Sequence, residues 1–185
     1  GHVTFQLFFS RRDICFVCSG KVGEQSLHLY IGKLCDLLNF LNAFCGIRKS
    51  NPAHSCVKSN MDMYCFSLTD SQKKAWQEID DDMQSPEPMN RLVQGDVGSG
   101  KTALALLALA KTVENGYQGC LMAPTEILAE QHYQEMQKVL EPAGIRTALL
   151  TGGLTAKARR QVLEGLADGS IQAVVGTYAL IQDAV

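Results

Sequence analysis

The residues best suited to chemistry in this sequence lie in a glycine-rich stretch from position 92 to position 102. It spells LVQGDVGSGKT and fits the pattern G-x-x-x-x-G-K-[ST] at every fixed position. Glycines allow the backbone to turn through positive φ and to bring successive N–H groups around a polyanion. The pattern therefore predicts a phosphate-binding loop in which all three glycines turn through positive φ. Its candidate residues are Gly95, Asp96, Val97, Gly98, Ser99, Gly100, Lys101 and Thr102.

Two of these residues are candidate catalytic groups. Lys101 is placed to reach the terminal phosphates of a nucleotide as a point charge. The Thr102 hydroxyl is placed to ligate Mg²⁺ at the start of a helix, whose positive dipole end favours an anion. The chemistry predicted for this stretch is binding of a nucleotide phosphate tail with Mg²⁺.

The flanking residues predict the strand, loop and helix that such a loop requires. Residues 91–94 form a short segment centred on Leu92 and Val93, and residues 103–113 are a run of strong helix formers. Upstream, Thr69 followed by Gln72 predicts a helix that starts with a capping box and continues through Trp76 and Ile79 into the acidic residues 80–82. Proline residues at 86 and 88 end that helix.

Downstream, short apolar segments alternate with helical segments. Strands are predicted at 119–123, 145–150 and 171–175, and helices at 127–140 and 155–166, with a last short helix after Tyr178. Strands that alternate with helices at these lengths predict a parallel sheet covered on both faces. The predicted fold class is therefore α/β.

Composition divides the 185-residue chain near position 65. Residues 1–65 hold 7 Lys and Arg against 4 Asp and Glu, whereas residues 66–185 hold 10 against 15, for a net charge of −2 overall. That total gives no electrostatic sign of a nucleic-acid binder.

The sequence contains no run of 18 or more apolar residues, so no membrane span is predicted. The missing initiator Met predicts a fragment or a tag remnant, and the odd cysteine count indicates a reducing, cytoplasmic setting.

Residues 1–65 form a cysteine-rich segment of uncertain fold. Residues 4–9 and 14–17 are candidate strands, and the apolar spacing of residues 27–44 predicts an amphipathic helix. Cys15 and Cys18 suggest a zinc site, but no second close pair follows, so buried free cysteines are the commoner explanation. The further candidate zinc ligands are Cys35, Cys45, Cys56, His28 and His54. A segment that is not a native partner of the rest is a third alternative.

From residue 66 onward, five segments resemble the first motor domain of the RecG-type branched-DNA helicases, which are ATP-driven translocases of superfamily 2. They spell FSLTDSQ, PMNRLVQGDVGSGKT, LMAPTEILAEQHY, ALLTGG and VVGTYALIQ. The resemblance covers residues 66–185, and residues 1–65 show no such likeness. It implies an incomplete RecA-like motor domain with ATP and Mg²⁺ as cofactors. It also implies branched or forked duplex DNA and a second motor domain of the same parent chain as partners.

The resemblance also implies roles for single residues. Phe66 and Gln72 would recognise adenine, although Gln72 has an alternative role as the capping-box partner alone. A second group would contact the phosphates of a DNA strand, although plain helix N-caps are the alternative for it. This group consists of Pro124, Thr125, Glu126, Gly152, Gly153 and Thr177. Tyr178 stands where many relatives have His. A small basic patch, Lys157 with Arg159 and Arg160, is either a solvated face or a DNA contact.

The parts needed for hydrolysis are not all recognisable. Hydrolysis at a phosphate loop needs an acidic Mg²⁺-holding group and arginines that stabilise charge on the γ-phosphate. Glu126 and Asp183 do not follow an apolar strand as such acids do. We therefore expect the intact protein to be an ATP-dependent DNA helicase of recombination and repair, and this polypeptide to bind ATP without hydrolysing it. The alternatives are a transcription-repair coupling translocase and a non-catalytic nucleotide- or zinc-binding module. A small-molecule kinase is disfavoured, because Gln72 and the Pro124-Thr125 segment would then have no role.

Overall fold

The computed structural model describes residues 3–10, 14–21, 68–85, 89–177 and 180. The predicted helices at 27–44 and after Tyr178 lie outside these residues. The described strands are β1 (Val3–Ser10), β2 (Ile14–Lys21), β3 (Met89–Gly95), β4 (Gln118–Met122), β5 (Thr147–Leu150) and β6 (Ala173–Gly176). The helices are α1 (Asp70–Gln84), α2 (Lys101–Glu114), α3 (Glu126–Leu140) and α4 (Ala156–Ala167), with a short 3₁₀ turn at Glu141–Ala143.

The six strands form one sheet in the order β3-β1-β2-β4-β6-β5. β2 pairs with β4, β4 with β6, and β6 with β5, all in parallel. β1 is antiparallel to both of its neighbours, β2 and β3. It follows that β3 has the same direction as β2, β4, β5 and β6, and that β1 alone runs the opposite way. The predicted parallel arrangement is therefore confirmed for the strands from residue 89 onward.

The hairpin of β1 and β2 lies in the interior of this sheet. It separates the strand before the predicted phosphate loop, β3, from the next strand along the chain, β4. The register pairs Val3 with Gly95 on one side of the hairpin, and Cys18 with Met122 on the other. The sequence predicted two strands in this segment but not their position. Backbone pairing between segments that are far apart in sequence has no local sequence signal.

Side chains of alternate strand residues enter two different cores, because successive residues of a strand point to opposite faces. Leu121 of β4 packs in a cluster with α1, α2 and α3, whereas its neighbours Cys120 and Met122 pack in a second cluster with α4. Val175 and Val174 of β6 divide in the same way. The predicted cover on both faces is therefore confirmed. None of the described helices has the length and apolar character that crossing a bilayer requires.

Helix α1 begins and ends where the sequence predicted. The Thr69 side chain accepts a hydrogen bond from the Gln72 N–H, and the Gln72 side chain accepts one from the Thr69 N–H, which is a complete capping box. Trp76, Ile79 and Met83 form the buried face of the helix. The spacing of these three residues, at three and four positions, is what brings one apolar stripe onto the sheet.

The acidic end of α1 is attached to β3 and α2 by charges. Arg91 of β3 donates from Nε to Asp82 Oδ2 at 2.6 Å and from Nη1 to Glu78 Oε2 at 2.7 Å. The bond to Asp82 raises the pKa of the Arg91 guanidinium. Lys111 of α2 forms an ion pair with Asp80. Asp80 and Asp82 therefore hold α1 against α2 and β3, the helix and the strand that flank the loop.

Gly176 of β6 lies close to the backbone of the neighbouring strand β5. A Cβ at this position would lie 2.2 Å from the Leu150 carbonyl oxygen and 2.7 Å from Leu180 Cγ. The backbone oxygen cannot move aside without loss of the pairing of Leu150 with Gly176. Only a residue without a side chain fits between the two strands.

We predict that Gly176→Ala lowers the free energy of unfolding by about 1–3 kcal/mol, because the added methyl group overpacks the end of the sheet. Urea denaturation followed by circular dichroism measures this change. Gly153→Ala is the matched control, since its Cβ would meet no atom closer than 3.6 Å. Equal unfolding midpoints for the two variants would contradict the prediction.

Candidate functional site

The predicted phosphate-binding loop connects the end of β3 to the start of α2. Gly98 and Gly100 have φ of 83° and 78°, so both adopt the left-handed conformation that favours glycine. A turn closes within the loop, where Ser99 N donates to Asp96 O at 3.2 Å. Gly100 is the N-cap of α2, and Lys101 and Thr102 are its first two residues. The strand, loop and helix predicted around the motif are therefore present.

Gly95 meets a different requirement from the other two glycines. Its φ lies outside the left-handed region, and it is the last residue of β3. The expectation that all three glycines turn through positive φ is therefore wrong for Gly95. A Cβ at this position would lie 2.8 Å from Ser99 Oγ and 3.7 Å from Lys101 Nζ. Gly95 is needed for space, because the loop folds back closely over the end of the strand.

The Lys101 side chain is buried inside the loop. Its ammonium group donates to the Gly95 carbonyl oxygen at 3.0 Å, to Ser99 Oγ at 2.9 Å, and to the Asp96 carbonyl oxygen. These contacts use all three donors of an ammonium group. A phosphate that bound Lys101 would therefore exchange with at least one of these oxygens. The loop holds the positive charge in place and supplies neutral partners that an anion can replace.

Gln72 connects helix α1 to the loop. Its Oε1 accepts from the Thr69 N–H at 2.8 Å within the capping box, and its Nε2 donates to the Ser99 carbonyl oxygen at 2.8 Å. A Cβ at Gly100 would lie 2.1 Å from the same Nε2. The capping role that was one alternative for Gln72 is confirmed, and a contact with the loop is added to it. Recognition of adenine by Gln72 stays a prediction, and Phe66 lies outside the described residues.

The segments that follow four of the strands leave the sheet at the same edge. Because β3, β4, β5 and β6 point the same way, the segments that follow them all leave from the carboxyl edge. This edge is where open α/β sheets bind their ligands. The candidate residues that lie along this edge are the phosphate loop after β3, Pro124 to Glu126 after β4, Gly152 and Gly153 after β5, and Thr177 after β6.

The predicted strand-contact residues differ in their surroundings. Thr125 is the N-cap of α3, and its hydroxyl accepts from the Leu128 N–H at 3.3 Å, so the alternative of a plain N-cap describes its contact. Thr177 is buried, and its N–H donates to the Leu150 carbonyl oxygen at 3.4 Å. Glu126 is exposed, and its Oε1 accepts from the Gly153 N–H at 3.1 Å. Two of the predicted segments, Pro124 to Glu126 and the two glycines, are therefore in direct contact.

The three residues of the basic patch on α4 differ in exposure. Lys157 and Arg160 are exposed, whereas Arg159 is half-buried. Arg160 Nε lies 3.5 Å from Oε1 of Glu164, which is one turn later on the helix. An exposed pair of this kind contributes little to stability. A DNA contact by this patch stays a prediction.

The zinc alternative gains no support from the part of the chain that the structure describes. Among those residues, no group of three or more His, Cys, Asp or Glu is placed to hold a metal ion. Cys120 is buried in the second apolar cluster, as expected of a cysteine that packs as a small apolar residue. Cys15 and Cys18 lie in β2, whose side chains are not described. The further candidate zinc ligands lie outside the described residues; they are Cys35, Cys45, Cys56, His28 and His54. Tyr178 and Asp183 also lie outside them.

The sequence did not predict the contacts or the exposure of several residues that shape the site. Ser99 uses its carbonyl oxygen to bind Gln72 and its hydroxyl to bind Lys101, yet its position in the motif accepts any residue. Val97 and Ile127 are 72% and 70% exposed on segments that leave the carboxyl edge. The contact between Glu126 and Gly153 spans 27 positions of sequence, so no spacing rule finds it.

The chain is similar to a helicase family and to several individual helicases. A family model described as DEAD/DEAH box helicase matches residues 69–185. The ATP-dependent DNA helicase RecG of Bacillus subtilis is 53% identical over 120 residues, which are 65% of this chain and 18% of that protein. The protein of the same name from Borreliella burgdorferi is 47% identical over 177 residues, which are 93% of this chain and 26% of that protein.

The match with the Borreliella protein extends before residue 66, because residues 66–185 alone make up only 65% of the chain. The expectation that the resemblance begins at residue 66 is therefore wrong for this relative. A solved structure, described as RecG bound to a three-way DNA junction, matches with a TM-score of 0.63 and 38% identity. It covers 86% of this chain, and this chain covers 22% of it. The chain thus spans about a quarter or less of these relatives.

We predict that Gln72→Ala destabilises the fold by about 1–2 kcal/mol, because it removes one half of the capping box and the bond to Ser99. It should also weaken nucleotide binding, which titration with ATP, GTP and inorganic tripolyphosphate measures. Equal weakening for all three ligands indicates that Gln72 positions the loop. A loss confined to ATP indicates that it recognises adenine.

The matched control for this variant is Gln77→Ala. Gln77 is an exposed glutamine on the same helix whose side chain donates to Asp81, one turn later on that helix. If Gln77→Ala weakens tripolyphosphate binding as much as Gln72→Ala does, the contact with Ser99 is not what holds the loop.

Proposed function

Since the chain belongs to the DEAD/DEAH box helicase family, we propose that it is part of an ATP-driven DNA motor that acts on branched DNA. In this proposal the chain binds ATP at the phosphate loop and a DNA strand at the neighbouring sheet edge. The parent protein is an ATP-dependent helicase of recombination and repair in the cytoplasm. The observation that carries the proposal is the buried Lys101 ammonium, held by exchangeable oxygens in a loop between β3 and α2.

The residues present fit a nucleotide triphosphate with Mg²⁺. The positive φ of Gly98 and Gly100 would allow main-chain N–H groups of the loop to turn toward a bound phosphate, and α2 begins at the loop with its positive dipole end. Lys101 would bind the terminal phosphates, and the Thr102 hydroxyl would ligate Mg²⁺. The bound Mg²⁺ would neutralise charge that develops on the phosphates. Gln72, through Ser99, would keep the loop in register with α1.

The DNA strand would bind along the carboxyl edge formed by the segments after β4, β5 and β6. Glycine N–H groups, small hydroxyl residues and a helix N-terminus bind phosphate without reading base sequence. Thr125, Gly152 and Gly153 are exposed there. The phosphate loop leaves the sheet at the same carboxyl edge. A change at the nucleotide would therefore act on the DNA strand through the parallel β-strands and the loops that follow them.

Turnover of ATP would require groups beyond those of the phosphate loop. An acid that holds Mg²⁺ and arginines at the γ-phosphate complete such sites, and the resemblance assigns the arginines to a second motor domain. The carboxylate of Glu126, the first residue of α3, accepts a hydrogen bond from the Gly153 N–H. We therefore propose that these 185 residues bind ATP and that hydrolysis depends on the second motor domain as a partner.

We predict that this chain binds a fluorescent ATP analogue in the presence of Mg²⁺, and that Lys101→Ala weakens binding at least about tenfold, because a charge-assisted contact to phosphate is lost. Equilibrium titration measures the affinity, and phosphate release measures turnover, which should stay at background. Lys138→Ala is the control, since Lys138 is exposed near the end of α3. An unchanged affinity in Lys101→Ala, or steady turnover that Lys101→Ala abolishes, would overturn this assignment.

We further predict that the chain binds a labelled three-way DNA junction with a dissociation constant of about 10⁻⁴–10⁻⁶ M, the range of contacts made only to the DNA backbone. Fluorescence anisotropy measures this affinity. Two junctions of unrelated sequence should bind alike, and binding should weaken as salt rises. A strong preference for one sequence would contradict recognition through phosphates.

A further inference from the structure

Glu126 places a negative charge on the segment that we propose binds DNA phosphates. Its Oε1 accepts from the Gly153 N–H at 3.1 Å. The same oxygen lies 3.3 Å from the position that a Cβ on Gly152 would occupy, and its Oε2 lies 3.6 Å from that of Gly153. The carboxylate therefore lies close to both glycines.

This arrangement conflicts with simple anion binding at the same atoms. One N–H group gives one full-strength hydrogen bond, so a phosphate oxygen and the Glu126 carboxylate cannot both accept it well. Two like charges a few ångströms apart also repel each other at low salt. A DNA phosphate that binds Gly153 must displace the carboxylate, or it must bind elsewhere.

The position of Glu126 in the helix explains how it is held there. It is the first residue of α3, whose N-terminal N–H groups favour an acidic side chain. The Thr125 cap fixes the start of the helix through the Leu128 N–H. The Glu126 side chain is exposed, so its carboxylate can exchange the Gly153 N–H for water without a buried charge being left behind.

We propose that Glu126 is an anionic gate on the DNA-binding edge, which holds the Gly153 N–H in the absence of DNA and gives it up to a backbone phosphate. This inference rests on the proposed function, and it adds a form of regulation to it. The gate lowers affinity for single phosphates and other small anions. A DNA strand overcomes it because several neighbouring phosphates bind together.

Glu126→Gln tests the gate, because it keeps the shape of the side chain and removes its charge. Glu130→Gln is the matched control, since Glu130 is exposed on the same helix and its replacement changes the net charge equally. Anisotropy titrations with a labelled three-way junction at low salt should show that Glu126→Gln binds about three- to tenfold more tightly than the wild type. Glu130→Gln should bind within about twofold of the wild type. At about 0.5 M salt the advantage should disappear.

A second measurement follows the donor itself. In two-dimensional NMR spectra, the Gly153 amide resonance should shift between the wild type and Glu126→Ala, and addition of the junction should shift it in both. Circular dichroism establishes that each variant is folded before it is titrated.

Each outcome has a distinct meaning. If the wild type binds the junction and Glu126→Gln binds equally or more weakly, the gate is wrong and the DNA-binding edge stands. If Glu126→Gln and Glu130→Gln tighten binding equally, the effect is one of net charge and the gate is wrong. If folded wild type and both variants all fail to bind, the proposed DNA-binding edge fails, and the gate fails with it.

Discussion

The buried ammonium group of Lys101 is the interaction on which the arrangement of this site depends. A buried charge needs partners for every donor, and here the partners are oxygens of Gly95, Asp96 and Ser99 within the loop itself. They converge on one point only because Gly98 and Gly100 turn through positive φ and Gly95 leaves space over the strand end. The same Ser99 receives Gln72 from α1. The loop is thereby fixed by the strand before it, the helix after it and a helix that precedes both.

Strand direction decides which segments can cooperate. Five of the six strands point the same way, so loops from distant parts of the sequence leave from one edge. The contact of Glu126 with Gly153 is a direct result, since it joins the ends of β4 and β5 across β6. The hairpin of β1 and β2 completes the sheet between β3 and β4. The edge that carries the phosphate loop is therefore joined to the other strands through residues near the start of the chain.

Local features of the fold could be predicted from the sequence because their causes are local. The Thr69 and Gln72 capping box involves atoms three residues apart, and the Thr125 and Thr155 hydroxyls each accept a hydrogen bond from the N–H three residues later. The alternation of Cys120, Leu121 and Met122 between two cores follows from the period of a strand. The motif around Lys101 also predicted its setting, since a strand and a helix must flank the loop for it to turn. The error at Gly95 arose because glycine serves both left-handed turns and close contacts, and the two look alike in sequence.

By itself, the sequence determined the α/β class, the approximate positions of the described helices and the loop predicted to bind phosphate, all of which follow from interactions between near neighbours along the chain. Only the tertiary structure decided that the N-terminal hairpin lies between β3 and β4, that Gln72 reaches the loop, and that Glu126 covers Gly153. The physical reason is the same in each case. These contacts join backbone and side-chain atoms that are separated by 27 or more residues, and their formation depends on how the sheet assembles.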